Sequence, residues 1–235
     1  MGLIARSVDF LRGSPKIRRA HADRLAAWKR GPRIELTLPH AQVRYVVVDV
    51  ETTGLDMRRD TAIAIGALAV SHGVIAFDDG FDVVLRQERA SADANILIHG
   101  IGGQTQLTGE NPAIATLGFV EFAGRSPLVA FRAEFDRTML ERAVRDTLGV
   151  ALGLPFIDLA LLLPSLFRGT ACDSLDDWLA HFSVDGAVRH RALGDAYATA
   201  RLFLIALAAA ELAGIGSAAQ LLATQKAQRW LGTRR

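Results

Sequence analysis

Between residues 45 and 50 the chain reads Tyr-Val-Val-Val-Asp-Val, a short apolar run rich in β-branched side chains. It predicts a buried β-strand. Residues 62–70 and 74–85 predict two more strands, with Ser71-His72-Gly73 between them as a hairpin turn. Three consecutive strands with short links predict an antiparallel meander. The period then changes. Residues 112–124 predict a helix, 128–131 a short strand, 133–148 an amphipathic helix and 155–158 another short strand. Helical segments follow at 159–167 and 174–182, then a long helix from about 193 to 213. A meander followed by strands that alternate with helices predicts an α/β fold, a mixed five-stranded sheet flanked by helices.

The ends differ from this body. Residues 1–31 predict basic helices, broken by Gly13-Ser14-Pro15 and ended by Arg30-Gly31-Pro32. The expected organisation is a basic helical extension over 1–40, a compact domain over 41–213 and a basic helix or tail over 214–235. Residues 1–40 hold nine Lys/Arg and three Asp/Glu, and 217–235 hold four Lys/Arg and no acid. Residues 41–216 hold fourteen basic and twenty-two acidic residues, a net of −8. An acidic body with basic ends suits a polyanionic ligand held by metal ions. Solvated helices at both ends would give the same count.

The single cysteine, Cys172, excludes an internal disulfide and a cysteine-based zinc site, and suits a reducing, cytoplasmic setting. The N-terminal segment has no apolar stretch of signal-peptide type, and the apolar run 202–210 is too short to span a bilayer. No membrane partner is expected, and nothing in the residues sets the oligomeric state.

Candidate chemistry begins inside the first strand. Asp49 and Glu51 are two residues apart, so they share one face of it. Two ionised carboxylates side by side repel, and near a core they also lose hydration. No Lys or Arg lies between Arg44 and Arg58 to offset them locally. Asp136 and Asp195 each fall in the first turn of a predicted helix, where the helix dipole also favours a carboxylate. A divalent cation reconciles the acids with their surroundings. Hard oxygen donors suit Mg²⁺ or Mn²⁺, and four carboxylates suffice for two ions.

Three segments together resemble the DEDD exonucleases: Asp-Val-Glu-Thr-Thr-Gly-Leu at 49–55, Phe-Asp at 135–136 and His-Arg-Ala-Leu-Gly-Asp-Ala at 190–196. The histidine five residues before the last aspartate is similar to the DEDDh branch. That branch includes the epsilon proofreading subunit of bacterial DNA polymerase III, RNase T and oligoribonuclease. His-Gly-Ile at 99–101, Phe-Ile-Asp-Leu-Ala-Leu-Leu at 156–162 and Ser-Leu-Asp-Asp-Trp-Leu-Ala-His-Phe at 174–182 extend the resemblance over roughly 43–208. It implies a ribonuclease-H-like fold and a metal-dependent 3′–5′ exonuclease that releases nucleoside monophosphates from single-stranded DNA or RNA. It implies Asp49, Glu51, Asp136 and Asp195 as ligands of two Mg²⁺ or Mn²⁺ ions, with His190 as general base. Thr52, Thr53, Gly54 and Leu55 match the segment that meets the terminal nucleotide, and His99 and Phe135 match residues lining its base or sugar. Phe131-Arg132-Ala133 stands where the second motif often reads His-Asn-Ala, which makes Arg132 a candidate phosphate contact. The implied partners are the 3′ end of a single-stranded nucleic acid and, by analogy with epsilon, a DNA polymerase. The other readings are a non-catalytic binding subunit that keeps the fold, and a two-metal enzyme acting on free nucleotides.

Overall fold

The computed structural model describes residues 15–32, 35–184 and 191–232. Strands β1 (Tyr45–Thr52), β2 (Ala62–Ser71), β3 (Val74–Val84), β4 (Leu128–Ala130) and β5 (Phe156–Asp158) form one sheet in the order β3-β2-β1-β4-β5. β1, β2 and β3 pair antiparallel, while β4 pairs parallel with both β1 and β5. This is the expected mixed five-stranded sheet. β1 is central and therefore apolar on both faces. Its even-numbered residues Val46, Val48 and Val50 enter one core with Leu117, Phe119, Met139 and Leu140. Its odd-numbered residues Tyr45 and Val47 enter a second core with Leu159, Trp178, Leu202 and Phe203.

The helices are α1 (Pro15–Arg30), α2 (Asp93–His99), α3 (Gly103–Thr108), α4 (Pro112–Ala123), α5 (Glu134–Leu148), α6 (Leu159–Leu166), α7 (Leu175–His181), α8 (Ala192–Leu212) and α9 (Ala218–Gly232). Local chemistry explains several starts. The Asn111 side chain accepts from Ala113 N, and Pro112 takes the first helical position of α4, where no N–H is needed. Ser174 and Asp177 form a capping box at α7. α2 and α3 lie in a stretch for which no helix is expected from the sequence. They are seven and six residues long, too short to show a 3.6-residue period. A buried Gln106 stitches that stretch: its amide donates to Ile101 O and Ser91 Oγ and accepts from Ser91 N.

α8 is long and apolar enough to cross a membrane by length and composition. Here it lies along β1 and β2 and buries Ala196, Ala200, Leu202, Phe203 and Ala206. α1, the described part of the basic N-terminal segment, packs on α4. Trp28 is buried in the first core, its indole N–H donates to Gly124 O at 2.7 Å, and the Arg125 guanidinium covers its ring. Trp28→Ala should therefore destabilise the protein by about 3 kcal/mol, the order for truncating a buried aromatic. Urea unfolding at constant slope measures this, and an unchanged midpoint would show that α1 is not part of the core.

Candidate active site

The two-residue spacing does what strand geometry requires. Asp49 and Glu51 continue the face of β1 that carries Tyr45 and Val47, the face covered by α8. Asp195 stands in the first turn of α8. Asp49, Glu51 and Asp195 are all half-buried, and one carboxylate oxygen from each lies within 4.8 Å of the others. Carboxylate oxygens are hard donors, and among the described residues no sulfur or imidazole belongs to the group, so the set fits a hard divalent cation.

Asp136, in the first turn of α5, reaches the same place from another direction. It is buried, and its Oδ1 accepts the Val50 N–H at 3.2 Å, between the two acids of β1. Burial pushes its pKa up to about 7, opposed by the N–H groups of Val50 and Asp136 and reinforced by the charges of Asp158 and Glu51. The four acids expected from the sequence thus meet at one end of the central strand, three as a tight cluster and the fourth buried beside Glu51. His190 lies outside the described residues.

A glycine sets the approach of α8. Gly66 is the β2 partner of Asp49. A methyl group on it would stand 2.1 Å from Leu193 N and 2.2 Å from Ala192 C, so the first turn of α8 rests directly on the Gly66 backbone. This positions Asp195 over Asp49 and Glu51. Sequence reasoning passed over Gly66, although a lone glycine within an apolar strand is the signal for such an approach.

The segment after β1 is held by its own polar groups. Thr52 is buried and its hydroxyl donates to Gly54 O at 2.6 Å. Thr53 Oγ1 donates to Asp60 Oδ1, and the other oxygen of Asp60 accepts from Asp56 N. Gly54 faces Asp60 so closely that a Cβ there would meet its carboxylate at 2.5 Å. Leu55 projects outward, 87% exposed. Asn95 of α2 donates to Thr52 O and ties the next loop to this one.

His99, expected to line the terminal base or sugar, is held within its own loop. It is buried, its Nδ1 accepts from Ile101 N at 3.0 Å, and its Nε2 faces Ser91 Oγ. Burial holds its pKa below the usual imidazole value, so it serves its own turn as a neutral ring. Phe135 is half-buried against the first core. Arg132 is exposed, with φ of 58°, and its guanidinium donates to Asp173 O at 3.1 Å. That bond ties it to the loop before α7.

Sequence reasoning singled out the Phe156–Asp158 stretch but gave Asp158 no task. Asp158 is buried, and its Oδ1 accepts from Arg132 N and Ala160 N, each at 3.0 Å. Burial raises its pKa, opposed by the N–H groups of Ala133, Ala160 and Arg132 and by the charge of Arg229.

With this geometry in place, the comparisons with known proteins are specific. The profile of the RNase_T family, described as exonuclease, matches residues 46–203. A DNA polymerase III subunit epsilon-like protein of Rhodobacter capsulatus is 34% identical over 75% of this chain and 25% of its own length. A PolC-type DNA polymerase III of Thermotoga petrophila is 34% identical over 68% of this chain and 12% of its own. The chain thus spans a quarter or less of these two relatives. A DNA polymerase III subunit epsilon of Rickettsia felis is 30% identical over 70% of this chain and 74% of its own. Among solved structures, exonuclease X in complex with 5′ overhanging duplex DNA superposes with a TM-score of 0.61 at 21% identity, covering 77% of this chain and 99% of that one. E. coli exonuclease I in complex with a dA16 oligonucleotide gives 0.60 at 15%, covering 69% and 40%. At these identities the two structures speak for the fold, which is the ribonuclease-H-like fold expected from the sequence.

Proposed function

This chain belongs to the exonuclease family, and from that premise we propose that it is a metal-dependent 3′–5′ exonuclease acting on single-stranded nucleic acid. The observation that carries the reading is the convergence of Asp49, Glu51 and Asp195 within 4.8 Å, with Asp136 buried alongside. Like charges gathered at the end of a central strand favour a bound divalent cation, which reverses their repulsion. Asp49, Glu51, Asp136 and Asp195 would hold two Mg²⁺ or Mn²⁺ ions. Bound there, the ions would supply Lewis-acid stabilisation of the charge that builds on the phosphate.

The remaining work falls to the chain. The Thr52–Leu55 segment would seat the terminal nucleotide, with its backbone held rigid through Asp60. His190 would take the proton from the attacking water, which requires a neutral ring. His190→Ala should then lose roughly 10²–10⁴ in turnover, the range for positioned acid–base catalysis, while still binding Mn²⁺. Loss of Mn²⁺ affinity in that variant would make His190 a ligand or support instead. The Rickettsia relative is an epsilon subunit, which supports a DNA polymerase as partner.

A labelled single-stranded oligonucleotide tests the reading. A ladder of shortening products is expected with Mn²⁺, and none with EDTA. No shortening with Mn²⁺, or undiminished shortening in EDTA, would overturn it. Matched DNA and RNA strands run side by side identify the preferred sugar.

A further inference from the structure

β5 is the last strand of the sheet, so one row of its backbone groups faces away from β4. Such a row needs partners. One side chain supplies them. Gln225 of α9 donates from Nε2 to Phe156 O at 2.8 Å and accepts at Oε1 from Asp158 N at 2.8 Å. Only this orientation of the amide satisfies both groups, because the reverse sets N–H against N–H and oxygen against oxygen. Gln225 thus makes the two hydrogen bonds that a sixth strand would make.

The residue it grips is Asp158, whose side chain leads back to the acid cluster. Asp158 lies beside Ala130, the last residue of β4, and its Oδ1 holds the Arg132 N–H just beyond. Arg132 has a left-handed backbone, φ 58°, which an arginine adopts only when its surroundings impose it. The Ala133 N–H also favours the charged form of the same carboxylate. Ala133 caps the start of α5, and Asp136 follows three residues later. Asp136 in turn meets Val50 N between Asp49 and Glu51.

We propose that α9 is a working part of the catalytic scaffold, with Gln225 and Asp158 as positioning residues that fix the 131–133 loop and so seat Asp136. Neither residue touches the substrate. Gln225 lies beyond the segment matched to the exonuclease family, because α9 begins fifteen residues after residue 203. Its role rests on the exonuclease reading for its activity readout and on the metal-ligand role of Asp136 for its Mn²⁺ readout. If Gln225 merely shields a strand edge, its loss lowers stability and nothing else.

Three variants of the full chain decide between these roles: Gln225→Leu, Asp158→Ala and Asp158→Asn. Mn²⁺ affinity is measured by electron paramagnetic resonance, kcat and KM on a single-stranded oligonucleotide, and stability in urea. Gln225→Leu should weaken Mn²⁺ binding and lower kcat, each roughly tenfold, with KM unchanged, as for groups that orient metal ligands. Asp158→Ala should lose roughly a hundredfold in both. Asp158→Asn keeps an oxygen for Arg132 N and Ala160 N and should recover most of that loss. Gln225→Leu that is less stable yet binds Mn²⁺ as tightly as wild type would overturn the proposal. So would Asp158→Ala and Asp158→Asn with equal affinities, and this pair decides the matter if Gln225→Leu does not fold. Mn²⁺ binding needs no turnover, so a wild-type protein that leaves oligonucleotides intact would defeat the exonuclease reading while the relay is still judged by affinity.

Discussion

Asp136→Asn is expected to lower turnover roughly 10³-fold, as when one preorganised charge-stabilising group is removed. In EDTA above pH 7 it is also expected to melt at a higher temperature than the wild-type protein. The two effects have one cause. The native state holds Asp136 buried beside Asp158 and Glu51, and this raises its pKa from 3.8 to about 7. A carboxyl whose folded pKa is raised favours folding while it is protonated. Its contribution is whole below pH 3.8 and drains away as pH rises to about 7. Asparagine copies the neutral form, keeps an oxygen for the Val50 N–H, and cannot ionise. The melting difference between variant and wild type should therefore widen from pH 4 to pH 7 and then level off. The lost ligand shows up separately as weaker Mn²⁺ binding. In the wild type, cation uptake must expel the Asp136 proton, so affinity should fall as pH drops below about 7. A melting difference that is flat with pH would mean that Asp136 is ionised throughout. Turnover near wild type would remove it from the site.

The sheet was legible because its signals are short-range. The alternation of Asp49 and Glu51 with Val48 and Val50 assigns faces without any knowledge of the partner strands, and β2 and β3 follow from apolar runs bounded by Ser71-His72-Gly73. The acids were legible because a buried-strand pattern that includes two carboxylates needs a reason. What escaped depends on side-chain contacts that no residue pattern announces, some of them distant in sequence. His99 reads as a binding residue from its motif, and only the fold shows Ile101 N and Ser91 on its two ring nitrogens. Asp158 carries no task in the sequence reading, and its grip on Arg132 spans 26 residues. Gln225 sits in a segment that reads as a basic tail, and nothing local announces that its amide completes a strand 69 residues earlier. α2 and α3 escaped because seven and six residues are too few to reveal a period.

Gly66→Ala tests whether the spacing between β2 and α8 is as tight as the site demands. The added methyl would fall 2.1 Å from Leu193 N and 2.5 Å from Leu193 Cα, both backbone atoms that cannot swing aside as a side chain can. Ordinary contact begins at 3.4 Å, so the start of α8 must retreat by more than an ångström. Asp195 is two residues from Leu193 and moves with it. Asp49, the strand partner of Gly66, is held by β1 between two neighbours and stays in place. The cluster should therefore open on one side. A misplacement of about 1 Å can cost roughly 10²-fold in rate, and overpacking costs about 1–3 kcal/mol of stability. Gly66→Ala should show both, with Mn²⁺ affinity falling alongside turnover. Gly216→Ala is the matched control, because a methyl there meets nothing within 4 Å. Turnover of Gly66→Ala within about threefold of wild type would mean that α8 yields without displacing Asp195. In that case the approach at Gly66 is a packing detail and not what sets the geometry of the acids.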